Sequence, residues 1–444
     1  MWAIVLFVAL VVVYFAYRFN KWRNPKCNGI LPPGSMGLPF IGESLKLLTP
    51  SYSIDTHPFI TIDYKGTNRY GPIFKSSVAG QSVVISADPE FNNYLLSQEG
   101  RLVEFWYTDA SKVMMGGVGI NASGYIHKYN RSLLMNHFGR ENLKEKWLPQ
   151  IQNLLNKTLS SWSTQENVEV KEAFASVICE FTANILFGYD FEKSAGRLGD
   201  NFTGVQKVLL SFPLNISGMT YYQSLKSRER AFEIFKKAVK DRINSVEKSR
   251  DDVLDQALTD MEREKFLTEE FIQFIFFGVL FATYESISLT VALIFKFLES
   301  HPSVLAELMI EHENILKSRQ DSESSITWDD YKSMTFTQQV ISETLRLGTT
   351  APGLCRKAVK DIQFKGFTIP TGWNIMMVTS IRHINPEVYK DPLEFNPWRW
   401  KDMDSFTISK NFSPFGGGTR QCVGAEYSRL VIALFLHLLI TKYR

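Results

Sequence analysis

Cysteine is scarce in this chain. Cys27, Cys179, Cys355 and Cys422 are all it has in 444 residues, too few and too scattered for a disulfide framework or a zinc site. Such usage predicts a reducing, cytosol-facing setting. Charge of one sign is equally short: 49 Lys and Arg against 46 Asp and Glu leave a formal net charge of +3, which gives nucleic-acid binding no support. The sequence contains no internal repeat, no low-complexity segment and no glycine-rich dinucleotide fingerprint. Solenoids, disordered arrays and a built-in nicotinamide or flavin module are thereby excluded as readings of these residues.

What is abundant is apolar and aromatic. Hydrophobic residues make up 45% of the chain, with 33 Phe and 17 Tyr, enough for a large core around an internal ligand cavity. Trp2 to Phe19 is almost uniformly apolar, interrupted only by Arg18. A helix of that length spans about 27 Å, close to the hydrocarbon thickness of a bilayer. Arg18, Lys21, Arg23 and Lys26 follow it and no positive side chain precedes it, which places the downstream chain on the cytoplasmic side. A cleaved signal peptide is the competing reading, and it lacks the basic start and small-residue cleavage site. Sequons at Asn121, Asn130, Asn156, Asn201, Asn215 and Asn411 then stay unmodified on the cytosolic side. Leu31-Pro32-Pro33-Gly34-Ser35-Met36-Gly37-Leu38-Pro39 reads as a stiff link, since proline bars helix. The expected division is residues 1–20 as transmembrane anchor, 21–39 as basic stop-transfer and proline-rich linker, and 40–444 as one globular domain.

Ile73 to Ser77 and Gln81 to Ser86, around Val78-Ala79-Gly80, read as a β-hairpin, and Ile362 to Phe364 with Phe367 to Ile369, across Lys365-Gly366, as a second. Asp88-Pro89 opens a helix. Nearly everything between these elements has helical periodicity. The longest helix starts at the N-cap Thr268, with Glu269 and Glu270 in its first turn, and runs to Ser300 before His301-Pro302. Gly278, Ala282 and Ser286 recur on one of its faces. Such a stripe serves either close helix packing or the approach of a flat ligand. The expected fold is mainly α with a small β region.

Phe415-Gly416-Gly417-Gly418-Thr419-Arg420-Gln421-Cys422-Val423-Gly424 carries the chemistry. It sets one cysteine among glycines at the head of an apolar helix, whose N–H groups are expected to lower the thiol pKa. Arg420 can pair with an acidic group of a ligand. Taken singly, a glycine loop with a cysteine is a turn and a structural thiol. Together these features suit a cysteine that ligates haem iron. The string Phe415-x-x-Gly418-x-Arg420-x-Cys422-x-Gly424 resembles the cysteine-ligand loop of the cytochrome P450 family, the haem-thiolate monooxygenases.

That resemblance implies the P450 fold, a helical prism around haem b (iron protoporphyrin IX), behind the N-terminal transmembrane helix. Cys422 becomes the metal ligand, Phe415 packs beside its sulfur, and Gly418 and Gly424 let the backbone pass the porphyrin. Ala282-Thr283-Tyr284-Glu285-Ser286 resembles the oxygen-activating segment, in which an acid and an alcohol relay protons. Glu285 matches the acid, Ser286 stands where threonine is usual, Thr283 replaces a common glycine, and Ala282 faces the cofactor. Arg131 and Lys128 fall at basic positions for the haem propionates, with His127 where tryptophan is frequent, and Arg356 matches another propionate arginine. Glu343 and Arg346, joined by Arg399 from Phe395-Asn396-Pro397-Trp398-Arg399-Trp400, correspond to a buried structural lock.

The resemblance further implies a membrane-bound enzyme of the endoplasmic reticulum, single-pass and facing the cytosol, that inserts one oxygen atom from O2 into a C–H bond. Its electrons come from NADPH through a separate NADPH-cytochrome P450 reductase. Trp22-Arg23-Asn24-Pro25-Lys26, His57-Pro58-Phe59-Ile60, Ile326-Thr327-Trp328-Asp329-Asp330-Tyr331-Lys332-Ser333-Met334-Thr335 and Asn396-Pro397-Trp398-Arg399-Trp400 are similar to plant enzymes that oxidise triterpenoids and sterols, such as cucurbitadienol and β-amyrin hydroxylases. The chain stops at Lys442-Tyr443-Arg444, where the family continues into a β-hairpin that closes the substrate pocket. Two alternatives therefore stand beside the monooxygenase: a truncated haem-binding product with little activity, and a haem-thiolate isomerase that works without O2.

Overall fold

A tight turn closes the second hairpin because Lys365 and Gly366 both hold positive φ, +48° and +83°, the pairing a two-residue hairpin loop demands. The structure is a computed structural model and describes residues 2–23, 26–38, 41–44, 69–78, 80–106, 112–114, 122–190, 198–210, 215–245, 250–319, 321, 324–348 and 353–443. Asn24, Pro25, Pro39, His57 to Ile60, Ala79, Asn121, Pro352 and Arg444, named above, lie outside the described residues. The chain divides into two units, Met1–Trp106 with Ala351–Glu394 and Asp404–Gln421, and Tyr107–Thr350 with Phe395–Met403 and Cys422–Arg444.

The first unit carries helix α1 (Trp2–Arg23), strands β1 (Ile73–Val78) and β2 (Gln81–Ser86), helix α2 (Pro89–Ser97) and strand β3 (Val103–Phe105). In α1, Ile4, Phe7, Leu10 and Phe15 are at least 60% exposed, and the helix is long and apolar enough to cross a membrane. Asp88 caps α2 by accepting from Phe91 N at 2.9 Å. The stretch expected as a stiff link makes contacts of its own. Lys75 N donates to Pro33 O at 2.8 Å, Met36 is buried, and a Cβ at Gly34 would stand 2.1 Å from Lys75 O. The stretch is laid along β1, and only glycine fits at that crossing.

The second unit is helical. Its main helices are α3 (Gly124–Phe138), α4 (Leu148–Trp162), α5 (Val170–Phe187), α6 (Leu198–Gln206), α7 (Thr220–Asn244), α8 (Glu269–Ser300), α9 (Pro302–Ser318) and α10 (Thr335–Gly348). Thr268 caps α8 by accepting from Phe271 N at 3.2 Å, as its position ahead of two glutamates predicts. Aromatic side chains fill the space around α8: Phe187 meets Phe235 and Phe276, and Phe202 meets Phe277 and Tyr284. Although α8 is also apolar enough for a bilayer, over half of its most apolar stretch is buried in protein, so it is a core helix.

The first unit resumes with β4 (Leu354–Ala358), the hairpin β5 (Ile362–Phe364) and β6 (Phe367–Ile369), and β7 (Asn374–Met377). Its larger sheet runs β1-β2-β7-β4-β3, with β2 and β7 parallel and the other pairs antiparallel. Both faces are covered: Ile73, Val84, Ile375 and Met377 pack on one side, Phe74, Val83, Ile85 and Met376 on the other. Strands β3, β4 and β7 were not expected. β3 has three residues and β7 is buried throughout, so neither shows an apolar–polar alternation. The last helix, α11 (Ala425–Lys442), belongs to the second unit and buries Leu430 through Leu438 against α4, α9 and α10.

Candidate functional site

In the second unit, Cys422 lies just ahead of α11, whose N-cap is Gly424. The Gly424 N–H serves the Cys422 thiol, and a Cβ at Gly424 would lie 3.9 Å from its sulfur. Cys422 is the exposed cysteine of the four. The chain around it nevertheless removes enough water to push the thiol pKa up, against the Gly424 N–H and the Arg131 charge, which pull it down. The expectation of a lowered pKa is thus corrected, because desolvation outweighs one backbone donor and one cation. A metal cation at the sulfur would supply the missing stabilisation.

The open strip on α8 is the second feature. Phe271 through Phe277, Leu280, Tyr284, Ile287 and Ser288 are buried, whereas Ala282 and Ser286 are exposed. A Cβ added to Gly278 would meet nothing within 4 Å. Among the described residues the small-residue stripe is therefore not consumed by helix packing. It is open to a flat group, as the second of the two readings requires.

The predicted relay residues are placed differently from a linked pair. Thr283 Oγ1 donates to Val279 O at 3.0 Å and Ser286 Oγ to Ala282 O at 2.8 Å, each turned back onto its own helix. Glu285 pairs with Lys171 of α5 at 2.8 Å, a partner that lies over a hundred positions away in sequence and carried no signal. On α3, His127 and Arg131 are half-buried one turn apart, and Lys128 is exposed.

The first unit contributes arginines. Antiparallel register sets Phe105 of β3 opposite Arg356 of β4, and both the Arg356 and Arg420 guanidinium groups lie over the Phe105 ring, 5.4 and 5.5 Å from its centre. Glu99 stands between them: Arg420 Nε donates to its Oε1 at 2.6 Å, and Arg356 Nε is 2.6 Å from its Oε2. The second contact is an ion pair rather than a well-aligned hydrogen bond. Burial pushes the Arg356 pKa down while Glu99 holds it up. Sequence reasoning missed Glu99 and Phe105; the short strand β3 hides the pairing that brings them in. In the same unit Phe415 is half-buried, and Gly418 holds φ +68° with a Cβ position only 2.9 Å from Leu96 O.

Glu343, Arg346 and Arg399 meet in the second unit. Glu343 is fully buried and accepts from Arg346 Nε at 2.9 Å and Nη2 at 2.8 Å, Arg399 Nε at 2.9 Å, Asn396 N at 3.0 Å and Trp400 Nε1 at 3.0 Å. Arg346 and Glu343 are one turn apart on α10, and the segment Phe395–Met403 brings the rest.

These residues fit haem. Within the second unit they offer an accessible soft sulfur with a backbone donor and an unfilled strip on the core helix. The family model for cytochrome P450 matches residues 32–444. The chain is 53% identical to cucurbitadienol 11-hydroxylase of Siraitia grosvenorii and 46% identical to beta-amyrin 16-alpha-hydroxylase CYP87D16 of Maesa lanceolata, in each case over 100% of this chain and 94% of the relative. Among solved structures, retinoic acid bound cyanobacterial CYP120A1 superposes with a TM-score of 0.80 at 24% identity, covering 93% of this chain and 92% of that one, which shows the fold. The chain belongs to the cytochrome P450 family and is a haem-thiolate monooxygenase.

Proposed function

We propose that this cytochrome P450 hydroxylates a triterpenoid or sterol at an unactivated carbon, anchored by residues 1–20 in the endoplasmic reticulum membrane with residues 40–444 in the cytosol. Electrons come from NADPH through a separate reductase. The observation that carries the reading is Cys422, accessible and served by the Gly424 N–H at the head of α11, inside the family's cysteine loop. The names of the relatives, a cucurbitadienol and a β-amyrin hydroxylase, support the substrate class.

Cys422 Sγ would hold the iron of haem b, and Arg356, Arg420 and Arg131 would meet its acidic side chains, with His127 and Lys128 as further donors. When bound, haem supplies the iron chemistry that activates O2 and transfers one oxygen atom, which a thiolate ligand favours. The protein's own share is positional. Gly278, Ala282 and Ser286 leave a strip along α8 where reactants can lie against the backbone. Ser286 Oγ holds its proton on Ala282 O and releases it by rotating about χ1, a rotation that threonine would restrict. Glu285, paired with Lys171 Nζ at 2.8 Å, can take a proton from solvent once the ion pair opens and pass it to that hydroxyl. Glu343 with Arg346 and Arg399 holds α10 and the Phe395–Met403 segment in register and touches no reactant. A polycyclic hydrocarbon suits apolar walls, gaining about 0.8 kcal/mol per buried CH2 without charged contacts.

Microsomes holding the chain and a plant reductase, supplied with NADPH and either cucurbitadienol or β-amyrin, test this directly. The expected result is a hydroxylated product carrying one labelled atom from isotopic dioxygen, absent for Cys422→Ser. Product formation without NADPH or O2 would overturn it.

A further inference from the structure

Among three arginines of the first unit, Arg356 is buried and Arg420 partly buried, and these two share Glu99. The third, Arg382, is 7% exposed in the short helix Ser380–His383. Its Nη1 donates to Lys410 O at 2.9 Å, and among the described residues its Nε has no hydrogen-bond partner. Among the described residues no carboxylate makes an ion pair with it. Asp88, the acid whose field reaches it, is itself held by Lys365 Nζ at 2.8 Å. Loss of water pushes the Arg382 pKa down. A buried guanidinium without an anion is costly, so the site is incomplete as the chain alone builds it.

Arg382 lines a cavity of about 300 Å³ whose wall contains no aspartate or glutamate. The wall is mixed: Leu96, Leu354 and Met377 form its apolar part, and Asn93, Ser97, Thr379, Ser409 and Ser413 set neutral polar groups beside Gly416 to Gly418. Ser97 and Ser409 already donate to Tyr94 O and Phe406 O. The Asn93 amide and the Thr379 and Ser413 hydroxyl groups are not so engaged among the described residues. One cation, neutral donors and no acid select an anion over a metal ion. The guanidinium fork and the surrounding donors suit a tetrahedral oxyanion, and the volume leaves room for its water shell or for an ester substituent. We propose that this cavity binds a phosphate-type oxyanion, as free phosphate or as the headgroup of an anionic phospholipid, with Arg382 as its charged anchor.

The test uses the full-length, haem-loaded protein in phosphatidylcholine nanodiscs, with melting followed while inorganic phosphate is titrated at constant ionic strength. A second arm replaces part of the lipid by phosphatidic acid and omits free phosphate. Saturable stabilisation in the first arm identifies free anion, and stabilisation confined to the second identifies a headgroup. In either case Arg382→Gln should abolish it. Asn93→Asp, which places an acid at an exposed position in the wall, should raise the half-saturating concentration about tenfold, the loss expected for one charge-assisted contact. Arg382→Lys, which keeps the charge, should retain a weakened response. No stabilisation in either arm, or an equal response in wild type and Asn93→Asp, overturns the proposal even if Arg382→Gln fails to fold.

Discussion

Two buried clusters in this molecule have the same composition, one glutamate and two arginines, and opposite character. Around Glu343 both carboxylate oxygens are saturated by Arg346, Arg399, Asn396 N and the Trp400 indole. Around Glu99 each oxygen faces a single arginine, Oε1 taking Arg420 and Oε2 taking Arg356. A buried ionic network is worth most to the fold when every lone pair and proton has a partner. The first cluster is closed and serves structure. The second is held together by its charges and is less enclosed, with Glu99 and Arg420 only partly buried, which keeps Arg420 within reach of an acidic ligand.

The largest expected effect comes from breaking the closed cluster. Glu343→Ala leaves two guanidinium groups buried without their acid, at a cost of about 3–5 kcal/mol, and should abolish folded, haem-loaded protein; folded yield and thermal melting check this. Glu99→Gln, the matching change in the open cluster, should leave the fold intact while bringing two like charges together over Phe105. Haem loss to an excess of a scavenging apoprotein should quicken about tenfold, the equivalent of one charged hydrogen bond. If Glu99→Gln unfolds the chain as Glu343→Ala does, the contrast between the clusters is lost.

Acid sharpens the comparison further. His312 and His437 sit with their Nδ1 atoms 3.0 Å apart in the second unit. Thr337 Oγ1 donates to Glu311 and so accepts from His312 Nε2, which leaves His312 Nδ1 to accept from His437 Nδ1. Both rings are neutral, and burial lowers their pKa values from 6.5 to about 3 and about 4. The unfolded chain binds more protons below pH 6.5, so this contribution to stability is complete above 6.5 and falls as pH drops toward those folded values. Melting temperature should decline from pH 6.5 to 5, with a shallower slope for His437→Gln. The smallest effect belongs to Lys171→Gln. Its half-exposed pair with Glu285 contributes about 0.2–1 kcal/mol, so melting should barely move while the pH profile of turnover shifts.

Much of this was legible in the sequence where chemistry is local. The hairpin at Lys365-Gly366, the Asp88 and Thr268 caps, the limits of α8 and the cysteine loop all rest on residues within a few positions of each other. Glu343, Arg346 and Arg399 were brought together by resemblance rather than by spacing. What stayed hidden depends on distant pairing. Glu99 meets Arg356 and Arg420 only because β3 pairs with β4. Lys171 meets Glu285 only because α5 packs on α8. The rise in the Cys422 pKa comes from desolvation, which a helix-start argument does not contain.

The most direct measurement is the carbon monoxide difference spectrum of the reduced full-length chain beside Cys422→Ser. A thiolate-type Soret band in the parent, lost in the variant, is the predicted result. A non-thiolate band in the parent, or a thiolate band that survives in Cys422→Ser, would contradict Cys422 as the ligand and with it the assignment of the site.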